Sequence, residues 1–560
     1  MYGFELIAST VAELGFRQVF GLMGAGNLPW LCHGVDRALF EYVSVRHEAS
    51  AVNAAAGYAR ASGRVGLATT THGPGIGNAF TALAAAARDN SPVVLLIGIP
   101  ALSNPTAPQR MDHRSFVELT GAAFHQVEQP EKIASTLVRA TKLAYQTRQP
   151  QVVGIYNDHQ EKELASHDAP WGPGLLDLPR AAPAPTDIAR AVDLLSRARM
   201  PAILVGQGAV HSEAKEAIQS LGQHLGAAFC HSMLAQNFFD RDQPDVGLVG
   251  VCSHPQTDLW LRDADCVLVF GASLNNLQTK RQKLFEGKPV IHVDSHLLNT
   301  PDFHRVDVSV IGDARLTAQA LLAELCARDI PARPPAAALS AQIASFYPHR
   351  ASDDVSDSTG IDPRTLFQRL HRDLPEDRMV VTDGGRCIET LHHLLPARDA
   401  RSYLYTSGFA SIGLGIGAAL GAGYAAQDRP LVLVCGDGGF LMNAQELDTV
   451  TRYHRQMLVI VMNDAQYGSE SRHLSHLRRD GHTMSMAAAQ WEYRSYEALA
   501  RAVGGAGETL RTKEDLDNFR ITPEKLRGLY LVDVRTRPDF DVWVEWAPKK
   551  LGLAAAPASH

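Results

Sequence analysis

The stretch PLVLVCGDGGFLMNAQELDTVTRYHRQMLVIVMND, residues 430–464, decides the architecture. It opens on an apolar run, passes through a glycine-bracketed aspartate, Asp437, and continues as the amphipathic segment NAQELDTVTRYHR. A second apolar run, MLVIVM, then ends directly on Asn463 and Asp464. Short runs rich in Val, Leu and Ile fit strands buried on both faces of a parallel sheet. The segment is therefore a strand–helix–strand repeat, whose strand ends lie side by side at the carboxyl edge, where open α/β sheets bind ligands. Asp437 and Asp464 stand 27 residues apart, one such repeat. Two oxygen ligands beside glycine N–H groups, which let a phosphate approach closely, suit a hard cation such as Mg²⁺. An aspartate capping a helix in an ordinary turn is the competing reading for Asp437 alone. The glycine bracket and the second aspartate weigh against it.

The same pattern recurs on either side. RVGLATTT and PVVLLIGI occur early in the chain, PAILVGQG, DCVLVFGAS and KPVIHVD in the middle, and MVVTDGG and GLYLVDVRT late. Two proline-rich stretches, APWGPGLLDLPRAAPAPTD and ARDIPARPPAAALS, read as linkers between these groups. The expected organisation is three doubly wound parallel-sheet α/β domains, over residues 1–165, 186–330 and 361–548. An internal echo sharpens it. GYARASGRVGLATTTHGPGIGNAF in the first group and GYAAQDRPLVLVCGDGGFLMNAQ in the third both run helix, strand, glycine loop, helix. Two copies of one fold are therefore expected to flank a third domain.

Composition narrows the function classes. A net charge of −7 over 560 residues gives no basic footprint for nucleic acid or an anionic membrane. The seven scattered cysteines show no Cys-x-x-Cys spacing, so a zinc site or disulfide framework is not expected. The start, MYGFELIASTVAELGF, lacks the basic and apolar regions of a signal peptide, and a cytoplasmic location is expected. SIGLGIGAALGAGYAA falls short of the roughly 20 residues a membrane span needs and reads as a helix packed tightly on a sheet. VGQGAV and GLGIGAAL each lack the full dinucleotide fingerprint.

The GDG of residues 436–438, followed by Asn463-Asp464, resembles the thiamine diphosphate motif of the acetolactate synthase and 2-oxo acid decarboxylase superfamily. RHEASAVNAAAGYARASG (46–63), THGPGIGN (71–78) and SGFASIGLGIGAALGA (407–422) resemble that family's glutamate helix, first glycine loop and cofactor-contacting segment, in the expected order. The resemblance implies that the outer domains bind the cofactor's pyrimidine and its diphosphate. It implies that Glu48 hydrogen-bonds N1′ of the aminopyrimidine, favouring the imino form that removes the proton from thiazolium C2. Ile412 would wedge the cofactor into its bent shape, and the Ala410 carbonyl would hold the 4′-amino group. Gly73 and Asn78 belong to the first glycine loop, and Gly436, Gly438 and Gly439 to the diphosphate loop. Asp437, Asp464 and the backbone carbonyl of Gln466 would hold Mg²⁺, and Arg386 would offset the extra charge of an aspartate at 464, where relatives more often have asparagine. A homodimer or homotetramer is implied, because the glutamate domain of one chain faces the diphosphate domain of another.

The reaction is less uniform in its signals. Ala25, in FGLMGAGNL, stands where simple pyruvate decarboxylases carry an acidic residue and carboligases a small one. That leans toward transfer of an acyl anion to a second carbonyl. Glu470 lies six residues past Asp464, the offset of a decarboxylase's catalytic glutamate. Asp112 and His113 stand where acetolactate synthases have Gln-Glu, and His72 replaces a serine. His113, Glu470 and His72 are thus candidate catalytic groups, while His392 and His393 read as helix-face residues. GASLNNLQTKRQK departs from the FAD-associated arginine pattern, which speaks against FAD. The expected activity is decarboxylation of a 2-oxo acid, or cleavage of an acyloin-type substrate, with transfer of the acyl anion to an acceptor. The alternative is a non-oxidative decarboxylase releasing an aldehyde.

Overall fold

A computed structural model describes residues 1–168, 179–296, 305–334, 354–386, 388–406, 408–426, 429–471, 474 and 485–538. Parts of both proline-rich stretches, Cys387 and residues 539–548 of the expected third domain lie outside them.

The apolar runs form three six-stranded sheets, and every described strand pairing in them is parallel. Across the first sheet lie Glu41–Ser44, Gln18–Gly21, Gly66–Thr70, Val93–Ile99, Gln151–Tyr156 and Ala123–Val127. Across the third lie Tyr403–Tyr405, Met379–Thr382, Leu431–Gly436, Met457–Asn463, Leu529–Arg535 and Ala506–Leu510. Numbered along the chain within each sheet, both have the order 2-1-3-4-6-5. The middle sheet, from Pro201–Val205 to Val308–Ile311, has the order 3-2-1-4-5-6, the dinucleotide-fold arrangement. Helices alternate with the strands, as parallel connections require. The chain is three doubly wound α/β domains, and the echo noticed between its outer parts is a repeated topology.

Two compact units result. One comprises Met1–Leu178, Val355–Ile388 and Leu404–Pro538, and so holds the first and third sheets; the other holds the middle sheet. In the first unit, the helices Glu48–Ser62 and Gly415–Ala425 each connect the second and third strands of their own sheet, so they are topological equivalents. They pack on each other. A Cβ at Gly421 would overlap the Ala54 carbonyl oxygen, and one at Gly57 the Ala418 carbonyl oxygen. Glycine inside a helix costs about 1 kcal/mol relative to alanine. Here it lets the two backbones meet without side chains between them. Around this seam Ala51, Ala54, Ala55, Ala418, Ala419 and Ala422 join one buried core. The glycine-laden segment is thus packed against a helix as well as a sheet.

On their helix, Ile388–Leu394, His392 is buried and His393 half-buried. In the second unit His392 is 2% exposed and bonds Tyr403 Oη through Nδ1, while His393 Nε2 lies 2.9 Å from the Cys252 carbonyl. Both keep polar partners outside their own helix, which helical periodicity does not reveal.

Candidate active site

Three adjacent strands of the third sheet run out into aspartates. Asp383 follows Met379–Thr382, Asp437 follows Leu431–Gly436, and Asp464 follows Met457–Asn463. Parallel register makes these ends neighbours.

Asp437 is the first residue of a short helix, Asp437–Met442, and is 1% exposed. Its Oδ2 accepts a hydrogen bond from Trp491 Nε1 at 3.1 Å, whereas its Oδ1 is buried with no hydrogen-bond partner among the described residues. Burial, then the neighbouring Asp464, pushes its pKa up to about 7. Asp464 is raised to about 6 by burial, opposed by the Gln466 amide and the Arg386 guanidinium. Gln466 Nε2 donates to Asp464 Oδ2 at 3.1 Å. Two crowded, desolvated carboxylates with an orphaned oxygen fit a cation: it would satisfy Oδ1 and relieve the repulsion. Arg386 lies close by, its side chain 3.2 Å from where a Cβ on Gly468 would stand. A Cβ on Gly436 would meet nothing within 4 Å, so space is open on that side of the strand end.

Asp383 was not singled out above, although the strand-end rule that marks Asp437 and Asp464 applies to it equally. It is 1% exposed, with Oδ2 accepting from the Gly413 N–H at 2.8 Å and Oδ1 from the Gly384 N–H at 2.8 Å. The amides of Leu414 and Gly415 also bond to it, opposing the upward push of burial on its pKa. It therefore caps the Gly415–Ala425 helix and holds the loop before it. In that loop Ala410 has φ +54° and Gly413 φ +86°. A left-handed alanine costs roughly 1–2 kcal/mol, and such strain persists where surroundings over-determine the backbone. Asn443 supplies a further tie, donating to the Gly413 carbonyl. The result sets Ile412 Cβ 3.4 Å from where a Cβ on Gly439 would stand, joining the Ile412 loop to the diphosphate loop.

In the first domain, Glu48 starts its helix and is 7% exposed. Asn78 Nδ2 donates to Glu48 Oε2 at 3.0 Å, so these two candidates meet. The helix entry is held by the third domain: the Arg46 N–H donates to Glu446 Oε1 at 2.9 Å. His72, Gly73 and His113 are also brought together. His113 Nε2 accepts from the Gly73 N–H at 3.4 Å, and Gly73 has φ +60°. Burial lowers the pKa of both histidines, and for His113 nearby His72 adds to it. The Gly24–Gly26 loop, with exposed Ala25, lies against Thr71 and His72. Glu470 is exposed, with no hydrogen bond or ion pair among the described residues, and none joins it to His113.

Trp491 gave no signal in the sequence; it reaches Asp437 from a loop 54 residues further along. Beside it opens a cavity of about 510 Å³ lined by Gly438, Leu441, Met442, Tyr467, Trp491 and Arg494 among others.

Comparison with known proteins agrees with this geometry. Residues 1–116 match the N-terminal TPP binding domain of thiamine pyrophosphate enzymes, 188–321 their central domain and 383–534 their C-terminal TPP binding domain. The chain belongs to the thiamine pyrophosphate-dependent enzymes. Within them it falls in the acetolactate synthase and 2-oxo acid decarboxylase group. It is 29% identical to a probable acetolactate synthase large subunit of Methanocaldococcus jannaschii, over 84% of this chain and 81% of that one. It is 29% identical to a probable 2-ketoarginine decarboxylase of Pseudomonas aeruginosa, over 92% and 90%. It is 27% identical to a sulfoacetaldehyde acetyltransferase of Castellaniella defragrans, over 91% and 88%. Among the described residues, no helix is long and apolar enough to cross a membrane.

Proposed function

We propose that the chain is a Mg²⁺-dependent, acetolactate synthase-like carboligase, which decarboxylates a 2-oxo acid or cleaves an acyloin and passes the acyl anion to a carbonyl acceptor. Thiamine diphosphate, when bound, would supply an acidic carbon whose deprotonated form is the nucleophile toward the substrate carbonyl, and a ring that stabilises the acyl anion. Glu48, oriented by Asn78, would hold N1′ of its pyrimidine. Ile412 and the Ala410 carbonyl would hold its bend, and the amides of Gly436, Gly438 and Gly439 its diphosphate. Asp437 Oδ1, Asp464 and the Gln466 carbonyl would hold Mg²⁺, with Arg386 offsetting charge.

The observation that carries the choice of reaction is the surroundings of Ala25. Ala25 offers no proton, and beside it His72 is buried and held neutral, as is neighbouring His113. Neutral imidazoles with lowered pKa are weak acids near pH 7. With no ready proton to give, they leave the acyl anion unprotonated long enough to meet an acceptor. Glu470 favours the second reading, a decarboxylase releasing an aldehyde, since it stands six residues past Asp464, the offset of a decarboxylase's catalytic glutamate. The cofactor would bridge two chains, making the active form a homodimer or homotetramer.

Purified enzyme with thiamine diphosphate and Mg²⁺, given a panel of 2-oxo acids with and without aldehyde or ketone acceptors, tests this by mass spectrometry of products. Ligated hydroxyketone is expected. Aldehyde alone, with acceptors present, would overturn the carboligase reading in favour of the decarboxylase.

A further inference from the structure

Two residues outside the family motifs link the two candidate metal-binding carboxylates, one directly and one through Gln466. Backbone hydrogen bonds run from the Trp491 N–H to the Ala465 carbonyl at 3.0 Å and from the Tyr467 N–H to the Ala489 carbonyl at 2.9 Å. They form an antiparallel bridge that sets Gln490 opposite Gln466. From this bridge Trp491 sends its indole N–H to Asp437 Oδ2 at 3.1 Å, and Gln490 Nε2 donates to Gln466 Oε1 at 3.1 Å. Gln466 in turn donates to Asp464 Oδ2.

The chemistry of these groups leaves little freedom. Indole is a donor only, so it binds one carboxylate oxygen of Asp437 and leaves the other, Oδ1, for a different partner. The Gln466 amide nitrogen faces two pure acceptors, Asp464 Oδ2 and the Pro538 carbonyl, each at 3.1 Å. A flipped amide would set its oxygen against both. Its oxygen must therefore face Gln490, whose NH₂ end is fixed in turn. The Tyr467 ring packs edge-on against Trp491 with centroids 5.0 Å apart. A Cβ on Gly438 would stand 2.7 Å from the Tyr467 ring, so the glycine after Asp437 makes room for it.

We propose that Gln490 and Trp491 are positioning residues which together preset the two carboxylates for the cation, Trp491 by direct contact with Asp437 and Gln490 through Gln466. The backbone bridge ties Trp491 to the Asp464 loop while its side chain ties it to the Asp437 loop, so one residue fixes the spacing of both jaws. The proposal rests on the reading that Asp437 and Asp464 hold Mg²⁺.

Calorimetric titration of Mg²⁺ into the full-length protein, saturated with thiamine diphosphate, tests it in the parent, Trp491→Phe, Gln490→Ala and Asp437→Ala. Phenylalanine keeps the ring and removes the donor; Gln490 is exposed, so its truncation leaves the fold intact. Partners that orient metal ligands typically contribute about 10- to 100-fold in affinity. Each of the first two variants is expected to weaken Mg²⁺ binding about tenfold. The concentration of Mg²⁺ for half-maximal rate should rise with it, while kcat at saturating Mg²⁺ and the melting temperature of the metal-free protein hold. Parental Mg²⁺ affinity in both variants would overturn the proposal, as would a loss of kcat at unchanged affinity. Should Trp491→Phe fail to fold, Gln490→Ala decides alone. Parental affinity in Asp437→Ala would instead overturn the reading of the metal site itself.

Discussion

The first and third domains share one strand order, yet they place charge in opposite ways. Where the third sheet's first, third and fourth strands run out into Asp383, Asp437 and Asp464, the same strands of the first sheet run out into Leu22, Thr71 and Pro100. The acid of the first domain sits instead at the start of its second crossover helix, as Glu48; the equivalent helix of the third domain starts at Gly415 and borrows its cap from Asp383. One topology thus gathers carboxylates at strand ends in one copy and sets a single buried carboxyl at a helix start in the other. The fold decides where side chains can converge, and the residue at each strand end decides what they hold.

The contrast can be broken from either side. Asp437→Ala should abolish Mg²⁺ binding and lower kcat/KM by on the order of 10³-fold, because a metal site contributes several kcal/mol. Titration calorimetry and steady-state rates check this, and unchanged Mg²⁺ binding would count against the third domain as the metal domain. Glu48→Gln should spare Mg²⁺ binding and lower kcat by about 100-fold or more, the range of a lost acid–base group. Weakened Mg²⁺ binding with normal turnover would reverse the division of labour between the copies.

The seam between the copies gives a smaller, structural effect. Gly421→Leu should destabilise the first unit by about 1–3 kcal/mol, as overpacked cores do, read as a lower melting temperature. Gly423→Ala on the same helix, where an added Cβ meets only the Leu431 side chain at 3.2 Å, serves as the mild control. Equal melting temperatures for the two would sink the backbone-contact account. The mildest probe is pH. Asp437 and Asp464 have pKa values raised to about 7 and 6, so protons occupy them increasingly as pH falls and must leave for a cation to bind. Apparent Mg²⁺ affinity should level off above pH 7, drop by up to about tenfold per pH unit between 7 and 6, and by up to about a hundredfold per unit below 6, where both carboxylates hold protons. In the cation-free protein the sign is opposite: their contribution to stability is present below the unfolded pKa near 3.8 and is lost as pH rises through about 6 to 7. A flat Mg²⁺ affinity from pH 5.5 to 7.5 would argue against buried, coupled carboxylates.

Much of this was legible before any coordinates. Continuous apolar runs mark buried parallel strands because neither face meets water, and a glycine loop after such a run marks the ligand edge. Asp437 and Asp464 therefore stood out, and Asp383 could have done so by the same rule. Trp491 could not, because it acts through a loop docked by two backbone bonds, and such docking leaves no periodicity. His392 and His393 read only as helix-face residues for a related reason: their partners, Tyr403 and the Cys252 carbonyl, lie outside that helix. Glycines in GLGIGAALGA announced close packing without saying that the other surface would be the chain's own second copy of that helix.

That seam carries a mechanical consequence. Where helices meet through interlocked side chains, rotamers can rearrange and absorb a small shift. Gly57 and Gly421 bring backbone against backbone, and a joint without rotamers has nothing to yield. The pair is built as a stiff strut, with Glu48 at the start of one helix and Ile412 just before the start of the other.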